Sequence, residues 1–271
     1  MLLKELSRAV FNRRMGLVMG VMLILLYLSS YQSHLNSHFF IDRNAADLTP
    51  EGLNEILEIG GNTYLIWISA FYYTQVIFVL ASIYPYAASF VYERKMRFHY
   101  FSIIRIGHLK YRLYKLFANG ITGGVALSVP SAIYFVGLSI FFENTILHPF
   151  DFQPEGLFSS LFTNTPMLYI LLVISIHFIF GFSIAIFAMG ITSFCSKIVY
   201  VYAIPFALYL SLDIIISNIN GLEKYAATRI YYLMSNVDLK ISDLLIVNFI
   251  LILSGLLMFY INYKQELKNG S

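Results

Sequence analysis

Residues 90–115, FVYERKMRFHYFSIIRIGHLKYRLYK, form a dense basic and aromatic stretch between two long apolar runs. Arg94, Lys95, Arg97, Arg105, Lys110, Arg112 and Lys115 crowd into it although only 12% of the chain is charged. An ordinary soluble domain carries about 25%. Cations this concentrated need water or a partner, so the stretch is read as a connection outside the apolar phase and its flanks as the segments buried in that phase. If Val91 to Arg105 is helical, Arg94, Arg97, Phe101 and Arg105 share one side while Met96, Tyr100 and Ile103 face another. Glu93 then precedes Arg97 by one turn, a pairing worth about 0.2–0.5 kcal/mol when exposed.

The rest of the chain agrees with an apolar solvent. Of the 271 residues 58% are hydrophobic, and the mean hydropathy is +0.70. No water-soluble surface accommodates that composition, so the expected fold class is an all-α integral membrane protein. The net charge of +3 is small, and a nucleic-acid partner is set aside. A span needs about 20 apolar residues, and six such runs stand at 15–34, 64–90, 116–142, 167–194, 199–217 and 244–263. Backbone polar groups must pair within each run, so each is expected to be helical. The expected layout is one transmembrane domain over 1–271. It comprises an interfacial helix at 1–14, a connecting loop at 91–115 and outer segments at 35–63 and 218–243.

Residues 1–14 place Leu2, Leu3, Leu6, Ala9 and Val10 on one helical face and Lys4, Glu5, Arg8 and Asn12 on the other, the pattern of a helix lying in a membrane surface. The first apolar run lacks a small-residue cleavage site and is expected to be retained. Lys4, Arg8, Arg13, Arg14, the 91–115 cluster, Lys197, Lys264 and Lys268 fall on one side of the six spans. Asp42, Asp47, Glu51, Glu55, Glu58, Glu143, Asp151, Glu155, Glu223 and Asp238 fall on the other. The basic side is therefore expected to be cytoplasmic, with both termini inside and the protein in the cell membrane. Thr49-Pro50-Glu51 has the form of an N-cap with proline at the first helical position, which predicts a short outer helix. Pro85, Pro130 and Pro205 are expected to disturb their own spans.

Several residues stand out at membrane depth. Tyr72, Tyr73, Gln75 and Tyr84 give the second span a polar and aromatic load that suits the bundle interior. They are candidates for a translocation path, or for plain interhelical hydrogen bonding. His177 and Asp213 join them as intramembrane ionisable groups. Gly16 and Gly20 in the first span, like Gly120 and Gly124 in the third, leave room for another helix, and the first pair is the candidate dimer interface. No catalytic residues are assigned. There is no GxxxxGK[ST] phosphate loop and no HExxH, Gly181-Phe182-Ser183 lacks the second glycine of GxSxG, and Ser183 and His177 lie on different helical faces. No metal site is assigned either, because Cys195 is the only cysteine and the histidines are scattered.

The order Glu93-Arg94, then Phe98, Tyr100 and Phe101, then Arg105-Ile106-Gly107, then Tyr111 and Lys115 resembles the loop between the second and third spans of type-2 ATP-binding-cassette exporter permeases, the type V exporters. The likeness is tight over this loop and holds elsewhere only in layout. Arg97-Phe98 stands where the family often has Gly-Thr, and Ile106-Gly107 where it often has proline. The resemblance implies a short coupling helix formed by Glu93, Arg94, Arg97, Phe101 and Arg105. It also implies cytoplasmic ATPase subunits as partners, a second permease beside this one, membrane lipid around both, and ATP with Mg on the partner ATPase, this chain holding no cofactor. The expected function is export of a hydrophobic or amphipathic peptide, lipid or drug. The alternative is a stand-alone polytopic membrane enzyme, sensor or scaffold.

Overall fold

The computed structural model of the protein describes residues 2–43, 45, 48–144 and 154–268. Met1, Asp47 and Asp151 lie outside them. The described chain is helical, and six of its helices are long and apolar enough to cross a membrane. A polytopic helical membrane protein is the class this architecture defines.

A short helix, α1 (Leu2–Val10), leads into α2 (Arg13–Phe40), whose start is capped by the Asn12 side chain accepting from the Met15 N–H at 2.9 Å. A five-residue π segment at Tyr31–Leu35 lies inside α2, and the helix continues past the expected end at His34. The short helix α3 (Pro50–Gly60) begins as its sequence predicts, with Thr49 Oγ1 accepting from the Gly52 N–H at 3.1 Å.

The second apolar run does not form the single helix expected over 64–90. It makes a short helix, α4 (Thr63–Ser69), and a 22-residue span, Thr74–Lys95, whose two parts α5 (Thr74–Ile83) and α6 (Ala88–Lys95) are joined by a turn. The break before α6 coincides with Pro85, which has no N–H to donate and crowds the preceding turn. The break before α5 has no proline. There Thr74 Oγ1 donates to the Phe71 carbonyl at 2.9 Å, so a side chain takes up an acceptor that the interrupted ladder leaves open. Trp67 of α4 is fully buried and donates its indole N–H to the Ser131 carbonyl at 3.0 Å. Holding the indole there ties α4 to the third long helix.

The connecting stretch is also broken. After α6, Arg97 adopts φ 60°, a left-handed conformation that ends a helix. A separate helix, α7 (His99–Ile106), follows, and Gly107 at φ 82° turns the chain into α8 (His108–Phe141). Glu93 and Arg97 therefore do not pair on one helix, and the expected face of Arg94, Arg97, Phe101 and Arg105 does not exist as a continuous surface. The loop expected over 91–115 is also too long, because residues 108–115 are the first two turns of α8. At 34 residues α8 is about 51 Å long, against a hydrocarbon thickness of about 30 Å. It is therefore longer than a span needs, and its polar start remains helical.

Following α9 (Ser159–Asn164), α10 (Pro166–Thr192) and α8 form the centre of the bundle. Glycine sets their separation. A Cβ on Gly123 would stand 2.5 Å from the Ala185 Cβ and 2.6 Å from the Gly181 carbonyl oxygen, while Gly120 and Gly124 face Phe182 and Phe178. The close approach expected of Gly120 and Gly124 is made within this chain, and Gly123 and Gly181 are its tightest points. Next come α11 (Ile198–Ser217), the short α12 (Ala227–Tyr231) and α13 (Ile241–Lys268). Pro130 and Pro205 lie inside helices that continue through them. Gly190 of α10 and Gly255 of α13 make a second backbone-close contact. Gly16 and Gly20 are exposed and have nothing within 4 Å of where a Cβ would stand.

Candidate functional site

The polar groups of the connecting stretch converge at the end of the bundle that carries both termini. Glu93, expected on the surface, is only 5% exposed. Its Oε1 pairs with Lys115 Nζ at 2.7 Å and with Arg8 Nη2 at 2.8 Å, and its Oε2 accepts from the Tyr111 hydroxyl at 2.9 Å. Tyr111 and Lys115 lie one turn apart on α8, so the helical period places both against the same carboxylate. Lys115 also pairs with Glu5 and donates to the Tyr86 hydroxyl at 2.9 Å, while Tyr86 donates to Glu5. Burial favours the neutral form of Glu5, but Lys115 beside it outweighs this and holds the carboxyl below the usual range. Burial likewise works against the charge of Arg8, yet Glu93 holds its guanidinium above the usual range. This first network joins α1, α6 and α8.

Arg94, the next residue, faces the other way. Its Nη1 donates to the Ser193 carbonyl at 2.8 Å and lies 3.3 Å from Glu266 Oε1. Glu266 also receives Arg112 Nη1 at 2.6 Å and sits 3.3 Å from His108 Nε2. Arg112 is fully buried and donates through Nη2 to the Phe259 carbonyl and Asn262 Oδ1 at 2.8 and 2.9 Å. Its guanidinium lies 4.2 Å from the Phe259 ring centroid, a cation–π contact. This second network joins α6, α8, the end of α10 and α13. Two adjacent residues of α6 thus clasp opposite sides of the bundle.

Below the clasp, α7 turns Ile103 and Ile106 toward the cluster around Phe90 and Tyr111. It leaves Phe101 67% and Ile104 82% exposed. Arg97 and Arg105 are exposed, and among the described residues neither forms an ion pair.

At the opposite end, residues 226–233 fold back into the bundle. Ala226, Ile230, Tyr231 and Leu233 are fully buried. Tyr231 stacks on Phe78 with centroids 4.6 Å apart and on His177 at 4.8 Å, and its hydroxyl donates to Thr74 Oγ1 at 3.1 Å. His177 Nε2 lies 3.0 Å from the Tyr231 carbonyl oxygen. That oxygen can only accept, so this nitrogen carries the proton, and Nδ1 is left as a buried acceptor without a partner.

The remaining expected site residues are dispersed. Tyr72 is exposed and packs beside Tyr73, whose hydroxyl donates to Gln32. Gln75 contributes its carbonyl to the Tyr209 hydroxyl at 3.0 Å. Tyr84 packs against Tyr202 near Arg14. Asp213 accepts from the Thr228 N–H and hydroxyl, both at 2.9 Å. The chain brings His177 and the 226–233 turns together but does not gather Tyr72, Tyr84 and Asp213 around one space. The sequence reading also missed Glu5, Arg8, Arg112 and Glu266 as site residues. The available signal was Arg112 and Lys115, two cations at the mouth of an apolar run with acidic residues far away in sequence.

No protein-family model, curated protein or solved structure matches this chain.

Proposed function

We propose that the chain is the membrane subunit of an ATP-driven exporter of the type V kind, moving a hydrophobic or amphipathic cargo by alternating access. In this reading the clasped end is cytoplasmic, α1 lies along the membrane surface, and α7 is the coupling helix. A separate ATP-binding-cassette ATPase holds ATP and Mg beneath α7. A second permease, a copy or a homologue, stands beside the first, with the open face at Gly16 and Gly20 as its candidate contact. The observation that carries the reading is the clasp. Displacing α7 pulls on α6, and α6 is tied through Glu93 to α1 and α8 and through Arg94 to α10 and α13. A push at one exposed helix therefore reaches most of the bundle through charge-assisted contacts, which are short and directional. The exposed Phe101 and Ile104 of α7, with the exposed Arg105 on the same helix, offer apolar and basic side chains of the kind that protein interfaces use.

Copurification with the tagged chain is the test. An ATPase should be retained by the parent and lost in a Phe101→Asp, Ile104→Asp double variant that keeps its fold. Recovery of a folded chain with no ATPase under any condition would favour a stand-alone membrane protein. Orientation is checked separately in a Cys195→Ser background. Cysteine at Glu155 should react with an impermeant thiol reagent in intact cells, and cysteine at His108 should not.

A further inference from the structure

A cavity of about 440 Å³ lies between α10, α11 and α13, within the range of about 300–1,000 Å³ typical of small-molecule sites. Its walls include Phe180, Phe187, Leu212, Ile246 and Ile250, and Asp213 is the only formally charged residue among the described residues lining it. The two tyrosine hydroxyls of the lining are already committed, Tyr209 to the Gln75 carbonyl and Tyr225 to Asp243. Asp213 is held by neutral donors alone, the N–H and hydroxyl of Thr228, and no described basic side chain forms an ion pair with it. A carboxylate facing an apolar cavity without a counter-cation is a costly arrangement that a cationic ligand relieves. The phenyl and phenol rings of the wall add π faces that attract ammonium and repel anions.

We infer that this cavity binds a single-tailed amphiphile bearing a protonated or quaternary ammonium head, with the head at Asp213 and the tail among the side chains of α10 and α13. The ligand class follows from the charge, because a hydroxyl head would leave the carboxylate uncompensated and an anionic head would oppose it. This is an equilibrium property of the chain alone, so its outcome and that of the exporter reading can differ independently.

The test uses the purified full chain in phosphatidylglycerol nanodiscs, whose lipid has no ammonium group to compete, with partition into empty discs subtracted. Radiolabelled octyltrimethylammonium should bind saturably, and octyl sulfate with the same tail should bind at least about tenfold more weakly. Asp213→Asn keeps an acceptor for Thr228 and should weaken the ammonium probe about tenfold while strengthening the sulfate probe, whose head no longer meets a like charge. Asp213→Ser serves if that variant does not fold. Val247→Trp should abolish saturable binding of both probes by filling the cavity. Absence of saturable ammonium binding to the parent, or binding that loss of the carboxylate leaves unaltered, overturns the inference.

Discussion

The two ends of the bundle solve the same problem with different chemistry. At each end irregular backbone and polar side chains are buried where water cannot satisfy them. At the terminal end the solution is charge: Glu93 and Glu266 each gather two or more basic groups, and the broken helix around Arg97 is pinned from both sides. At the opposite end one ion pair, Lys224 with Asp243 at 2.9 Å, ties the turns to α13, and the buried centre beneath it is neutral. Tyr231, His177 and Phe78 stack, and single hydrogen bonds to Thr74 and to a backbone carbonyl orient them. The difference follows from cost. A buried ion pair is expensive to form and more expensive to half-remove, so it tolerates little change in geometry. An aromatic stack is weaker per contact and can slide.

The comparison can be broken most forcefully at Glu93. Glu93→Ala leaves Arg8 and Tyr111 without their carboxylate and Lys115 with one fewer, and should cost about 3–5 kcal/mol of stability. Arg97→Ala, at an exposed and unpaired side chain, should stay within about 0.5 kcal/mol of the parent. Thermal unfolding of the purified chain reads both, and equal values would mean that the network contributes nothing to stability. This differs from the small loss of about 0.2–0.5 kcal/mol that an exposed helical pair would give.

At the opposite end, His177→Phe keeps the stack but leaves the buried Tyr231 carbonyl without its donor, for an expected loss of about 1–3 kcal/mol. Tyr231→Phe removes only the hydroxyl bond to Thr74 and should cost about 1 kcal/mol. A loss at either position as large as that of Glu93→Ala would show the neutral end to be no more tolerant than the charged one.

The smallest effect concerns acid. The ordinary value for Glu5 is 4.5, and the folded chain holds it lower. The unfolded chain therefore binds this proton first, and the contribution of Glu5 to stability is present above that value and is lost as pH falls through the folded one. Unfolding temperatures measured from pH 6 down to pH 3 should decline less steeply in Glu5→Gln than in the parent. Identical profiles would remove Glu5 from the network.

Much of the architecture was legible because it depends on solvent rather than on partners. Runs of apolar residues long enough for a membrane are helical by necessity, so six were counted from hydropathy alone, and Thr49-Pro50 announced a helix start through local chemistry. What was misread depended on contacts far apart in sequence. The break at Ala70–Tyr73 is sustained by Thr74 and by Tyr231, 157 residues further on. Glu93 was read as an exposed coupling-helix residue paired with Arg97, because its actual partners come from residue 8 on one side and residues 111–115 on the other. His177 and Tyr231 carried no local sign that they would stack.

By itself, the sequence determined that the chain enters an apolar phase, how many times its helices are long enough to cross it, and which connection gathers the cations. Those are properties of composition and of the helical period, and no packing arrangement can reverse them. The tertiary structure alone decided that the cations of the connection divide into a buried clasp and an exposed face, that α8 carries three of them in its first turns, and that Asp213 opens on a cavity without a counter-charge. Burial and pairing of a charge are set by the distance to groups on other helices, and linear sequence does not contain that distance.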